Sequence, residues 1–221
     1  CYMDRILTVT GTGKLSVKPD TTVVDILTEE TYESYEQTLE KSSEATLILK
    51  EAIKSAGLDS KDLKTRSFSI DTAYETIYDD KNNPKRRFIG YSYSQNTSIA
   101  FPSNNKQLGK LLYAVANCPL DAEISLRFTL ANPEPWKDVL LKNAVEDSRH
   151  KAEILTSVSD VRLGEIKKID YSWVDVDFSV RPVTKFAMAR AYSDESMSYN
   201  IDIEAADIDM TESVTLEWEI L

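Results

Sequence analysis

A chain of 221 residues with 42% hydrophobic and 29% charged content can bury one large core or two modest ones, so it reads as one globular unit with two lobes. Its 37 acidic against 26 basic residues give a net charge of -11, which argues against nucleic acid or an anionic membrane as the main partner. No run reaches the roughly 18 apolar residues that a membrane span needs. Two cysteines, Cys1 and Cys118, are too few for a disulfide framework or a zinc site.

In chain order, Leu7 to Lys18 alternates apolar and polar residues, which predicts a half-buried strand. Gly11 and Gly13 fall on its apolar parity, predicting a kink or a close-packed neighbour, and Pro19-Asp20 supplies a turn. The stretch TTVVDIL is apolar on both parities, as in a strand covered on both faces. A helix is expected from about residue 33 to 56, with a stripe of Tyr35, Leu39, Ala45, Ile48, Leu49, Ala52, Ile53 and Ala56, ending at Gly57. Strands follow at Leu63 to Tyr78 and Phe88 to Phe101, joined by the basic tip KNNPKRR.

Ser103 is the expected cap of a second helix bearing Leu108, Leu111, Leu112 and Val115, and Cys118 after it reads as a buried thiol. Ala122 to Leu130 alternates throughout, and Asn132-Pro133 opens a third helix to about Val158, with Trp136, Leu140, Ala144, Ala152, Leu155 and Val158 as its stripe. A strand is predicted at Ile166 to Phe178, and residues 179–198 show no clear period. Tyr199, Ile201 and Ile203 then lie on one parity and Val214, Leu216, Trp218 and Ile220 on the other, which predicts a bulge or break near EAADID. From Asp20 to Leu130 the order is that of a ferredoxin-like split βαββαβ lobe, residues 20–130. Residues 1–19 with 131–221 would form a second lobe from both chain ends, giving an α+β fold in a single domain, 1–221.

Chemistry is sparse. GTGK at Gly11 to Lys14 lacks the spacing and the following helix of a P-loop, and GTGKLS lacks the third glycine of a dinucleotide motif. His150 falls on a polar helix face with Asn143, Glu146 and Glu153, without a specified nucleophile or orienting group. The pairs Asp175 with Asp177 and Asp207 with Asp209 could serve a divalent-metal hydrolase, yet each also fills the polar side of an alternating strand. RFIGYSY (Arg87 to Tyr93) matches only part of the RNP1 pattern, since Phe88 replaces its glycine.

ILTVTGTGKLSVKPDTTVV resembles the opening of SIMPL-domain proteins, and GLDSKDLKTRSFSI, FIGYSYS and AVEDSRHKAEILTSVSDVRLGEI resemble the family's later blocks, from about Ile6 to Leu221. Gly11, Gly13, Pro19, Asp20, Gly90 and Gly164 form the structural signature of this reading. The resemblance implies an α+β fold without established catalytic residues or a cofactor. It also implies relatives as diverse as exported bacterial proteins tied to oxidative-stress defence, a ring-forming periplasmic immunogenic protein and an animal kinase-associated adaptor.

The leading expectation is a non-enzymatic, homo-oligomerising protein in stress response or envelope organisation, without metal or cofactor. The alternatives are the hydrolase above and a small-molecule or peptide binder in a cleft between the lobes. Candidate assembly contacts are Lys85, Arg86 and Arg87 of the basic tip and Phe186 and Met188 of the irregular arm. They would act with a C-terminal stretch, Ser193 to Leu221, that carries nine acidic residues and no basic one. MDRIL reads as a native start and no signal peptide is seen, so the cytoplasm is expected. The alternative is export, with Cys1 as the residue left after signal removal or as a lipidation site.

Overall fold

The computed structural model describes residues 5–172, 176–182 and 203–221. They form an α+β fold whose contacts divide it into two compact units, one of residues 1–19, 129–180 and 206–221 and one of residues 20–128 and 181–205.

The second unit is the ferredoxin-like one. It contains β2 (Thr21–Tyr32), α1 (Tyr35–Ser55), β3 (Lys64–Tyr78), β4 (Pro84–Pro102), α2 (Asn105–Ala116) and β5 (Ala122–Thr129), with β1 (Ile6–Val17) preceding them in the other unit. Its four strands lie in the order β3-β4-β2-β5. Val24 and Ile26 of β2, Ile99 and Phe101 of β4 and Ile124 and Leu126 of β5 pack beneath Leu49 and Ile53 of α1 and Leu108, Leu111 and Val115 of α2. Both helices therefore cover one face, and the opposite parity, with Asp25, Ser98 and Arg127, makes the other.

Local choices explain the element ends. Ser34 caps α1 by accepting from the Gln37 amide at 3.2 Å. The cap of α2 is Asn104, which accepts from Gln107 N at 3.1 Å. Ser103, the expected cap, instead joins its hydroxyl to that of Thr22 and donates its amide to Asp20. The predicted stripe of α1 also needs correction. Tyr35 and Leu39 are exposed, and Thr38 and Ser42 are buried in their place. The cause is polar docking, because Thr38 Oγ1 donates to the carbonyls of Ser34 and Tyr91.

The β3 and β4 strands outrun β2, which ends at Tyr32 opposite Tyr91. Two bulges shape this ribbon: Arg66 is the extra residue on β3, and Ile89 is the extra residue on β4. Next to the second, Gly90 adopts φ +133, and a Cβ there would strike the Tyr32 carbonyl. The basic tip is shorter than its sequence suggested. Asp79 Oδ1 accepts from the amides of Lys81 and Asn83, closing a tight turn, so Lys85, Arg86 and Arg87 already lie in β4.

The other unit pairs β1 with β8 (Ile208–Ile220), and β8 with β6 (Leu163–Asp170), all antiparallel, in the order β1-β8-β6. The chain also forms a two-residue strand, β7 (Ser179–Val180). The expected strand at 166–178 thus starts earlier and stops at Asp170. The break predicted near EAADID is not a bulge. Ile203 packs on the ferredoxin-like core, whereas Ile208 to Trp218 keep one buried parity in the other unit, so the parity change coincides with a unit boundary. Tyr199 and Ile201 lie outside the described residues.

α3 (Glu134–Val158) covers this sheet. Its buried row is Leu140, Ala144, Ser148, Ala152 and Thr156, one residue per i+4 step. Leu155 and Val158, expected in the core, are exposed. Small side chains are selected because β1 comes so close: a Cβ on Gly11 would overlap the Ala144 carbonyl, and one on Gly13 the Leu140 carbonyl. Gly11→Val and Gly13→Val are therefore expected to cost at least about 3 kcal/mol by overpacking. Urea unfolding measures this, while added ATP should leave Tm unchanged. A valine variant as stable as wild type would contradict the close contact.

Candidate functional site

The residues singled out in the sequence occupy different places. Gly11 and Gly13 face α3, Pro19-Asp20 leads into β2 with the Asp20 carbonyl accepting from Ser103 N, and Gly164 backs onto Glu219. His150 is exposed on α3. Asp177 accepts from the amide and hydroxyl of Ser179, and Asp209 accepts from Ser16 Oγ at 2.7 Å. Asp175 lies outside the described residues, and no cluster of His, Cys, Asp and Glu suited to a metal occurs among those described. Cys118 is half-buried, its thiol donating to the Ala114 carbonyl, and burial pushes its pKa up.

The basic tip makes internal contacts. Lys85 reaches Asp79 at 3.7 Å, Arg87 pairs with Glu75, and the Arg86 guanidinium lies 4.5 Å over the Tyr74 ring. Tyr74, Phe88, Tyr91 and Tyr35 form a chain of edge-to-face contacts with centroids 5.6 to 5.7 Å apart. Phe186 and Met188 fall outside the described residues. The RNP1-like rings lie on the helix side: Tyr93 is fully buried, and Tyr91 packs on Tyr35 of α1. Stacking of bases would need rings on the open face.

That open face instead holds a hollow of about 650 Å³, lined by Asp25, Arg66, Asn96, Ser125, Arg127 and Arg181. β2 supplies Asp25, the β3 bulge Arg66, β4 Asn96 and β5 both Ser125 and Arg127. Arg181 follows β7. Arg127 Nε donates to Asp25 Oδ2 at 2.8 Å and Nη2 to Oδ1 at 3.3 Å, a two-bond fork. Burial by itself would raise the Asp25 pKa. The bonds from Arg127 and Ser98, with the positive charges of Arg127 and Arg66, outweigh burial and hold the carboxyl below the usual carboxylate range. Among the described residues that line it, three guanidiniums stand against one carboxylate, an excess of two positive charges, in a chain whose net charge is -11.

Sequence reading did not find this grouping. Its members are spread over positions 25 to 181 and form no motif; the available signal was a lone aspartate within TTVVDIL, an otherwise apolar strand.

The fold and hollow define the class: an α+β protein of two units, one ferredoxin-like, with an arginine-lined depression on its open sheet face. The chain belongs to the SIMPL family, described as "Protein of unknown function (DUF541)", whose model matches residues 7–218. It is similar to the 26 kDa periplasmic immunogenic proteins of Brucella melitensis and Brucella abortus, at 27% identity over 165 residues. These matches take in 74% of this chain and 65% of each relative's length.

The Asp25–Arg127 pair sets an acid dependence. A carboxyl with a depressed folded pKa contributes stability that is fully present above its unfolded pKa, about 3.9, and is lost as pH falls through the lower folded value. Asp25→Asn is expected to cost about 2 kcal/mol at pH 7. The gap from wild type should narrow in urea unfolding at pH 3 and below. An equal gap at both pH values would remove the pair as its source.

Proposed function

We propose that this SIMPL-domain chain is a non-catalytic protein that self-associates through its β3–β4 arm and works outside the cytoplasm, in stress response or envelope organisation. The observation that carries the reading is the arm. Beyond Tyr32 it continues as a two-stranded ribbon, and Tyr74, Ile77, Tyr78, Phe88 and Ile89 are each at least 36% exposed along it. An isolated two-stranded ribbon has little stability in water, and exposed aromatics grouped on one projection favour a protein partner.

The occupant in this reading is a second copy of the chain. β3 is an edge strand, open to pairing across a two-fold axis. The tip carries four basic residues, and a second copy offers the C-terminal stretch, with eight acidic residues besides the buried Glu212. Phe186 and Met188 remain proposed contacts beside Lys85, Arg86 and Arg87. The periplasmic naming of the Brucella relatives supports the exported alternative over the cytoplasmic expectation.

Light scattering should give a mass of at least twice 25.0 kDa for the full chain. Arg86→Glu with Arg87→Glu, and separately Tyr78→Ser with Phe88→Ser, should lower that mass while circular dichroism stays unchanged. A monomer at high concentration overturns self-association, and an unchanged mass in both variants removes the arm from it.

A further inference from the structure

We propose that the hollow on the open sheet face is a binding site for a small hydroxylated oxyanion, a carboxylate or phosphate with a neighbouring hydroxyl. The argument starts from charge. Arg127 is held by Asp25, so that guanidinium is oriented and its fork is partly spent on the carboxylate. Arg66 and Arg181 have no salt-bridge partner among the described residues, and both border the same hollow. In a chain with 37 acidic residues, two such guanidiniums beside an already neutralised carboxylate form a local anion-attracting pair.

Geometry supports the same ligand. The arginines come from separate segments, and Arg66 occupies a bulge, a device that re-aims a side chain at the cost of regular pairing. Arg127, largely buried and forked to Asp25, is the fixed member, while Arg66 and Arg181 border the hollow as exposed side chains. A volume of about 650 Å³ lies within the range of small-molecule sites.

Asn96 adds the second requirement. Its Oδ1 is buried without a hydrogen-bond partner among the described residues, although the residue borders the hollow. A buried polar atom left unpaired is costly, and a ligand O–H would satisfy it. The Ser125 hydroxyl at the rim offers a further donor or acceptor. Two guanidinium forks and one carbonyl acceptor together select an anion bearing a hydroxyl over a bare halide or an apolar molecule.

Titration calorimetry of the full chain at constant ionic strength tests this with two probes, malate for the carboxylate source and glycerol 3-phosphate for the phosphate source. Saturable binding of one probe, one per chain, is expected. Arg66→Gln or Arg181→Gln should weaken it by about tenfold or more, since a charge-assisted bond contributes roughly 1.5 to 3 kcal/mol. Asn96→Leu should remove the preference for malate over succinate, or for glycerol 3-phosphate over inorganic phosphate. Arg149→Gln, on exposed α3 in the other unit, is the control and should bind as wild type does. Absence of saturable binding by either probe, or equal binding by wild type and both arginine variants, overturns the site. Arg66 and Arg181 are exposed, so these variants keep the fold and the comparison stands.

Discussion

The contact between the two glycines of β1 and the helix α3 governs the unit built from both chain ends. With no Cβ at Gly11 or Gly13, the backbones of strand and helix meet at the carbonyls of Leu140 and Ala144. That approach lets helix side chains reach the strand's own backbone. Asp147 accepts from the Thr12 amide at 2.7 Å, Ser148 Oγ donates to the Val9 carbonyl, and Lys151 Nζ donates to that of Thr10. β1 is an edge strand, so these bonds satisfy groups that would otherwise invite another chain.

The same sheet tolerates a charge on its buried parity. Glu212, opposite Gly13, is buried between Met210 and Val214, and Tyr171 Oη donates to its Oε1 at 2.6 Å. That bond, with burial and the glutamate's charge, pushes the Tyr171 pKa up to about 12. The carboxylate is accommodated where the facing strand has no side chain. The ferredoxin-like unit handles polarity differently. Its helix-covered face holds one large apolar cluster, while its open face concentrates Asp25, Arg66 and Arg127. Its edge strand β3 carries a bulge at Arg66 and faces a second one at Ile89 of β4.

Much of the fold was readable where one side of an element meets the core and the other meets water. Ala122 to Thr129 alternates buried and partly or fully exposed positions as its sequence requires, and the split βαββαβ order follows from element type alone. Reading failed where polar side chains are buried by hydrogen bonds. Thr38, Ser42, Ser148 and Thr156 take core positions that hydrophobicity would have assigned to Tyr35, Leu39, Leu155 and Val158. It failed also at Ser103, because adjacent Ser and Asn are equally good caps and only the path of the chain selects Asn104.

GTGK shows the division most clearly. Its spacing excluded a phosphate loop, and its parity placed both glycines on the core side, because side-chain direction along a strand has a strict period of two. Family membership was likewise legible in the order of blocks along the chain. The partner of the glycines was not legible, since α3 begins more than a hundred residues later. The arginine hollow depended on tertiary structure for the same reason. Asp25, Arg66, Asn96, Arg127 and Arg181 leave no local pattern, and only sheet order and a bulge bring them to one depression.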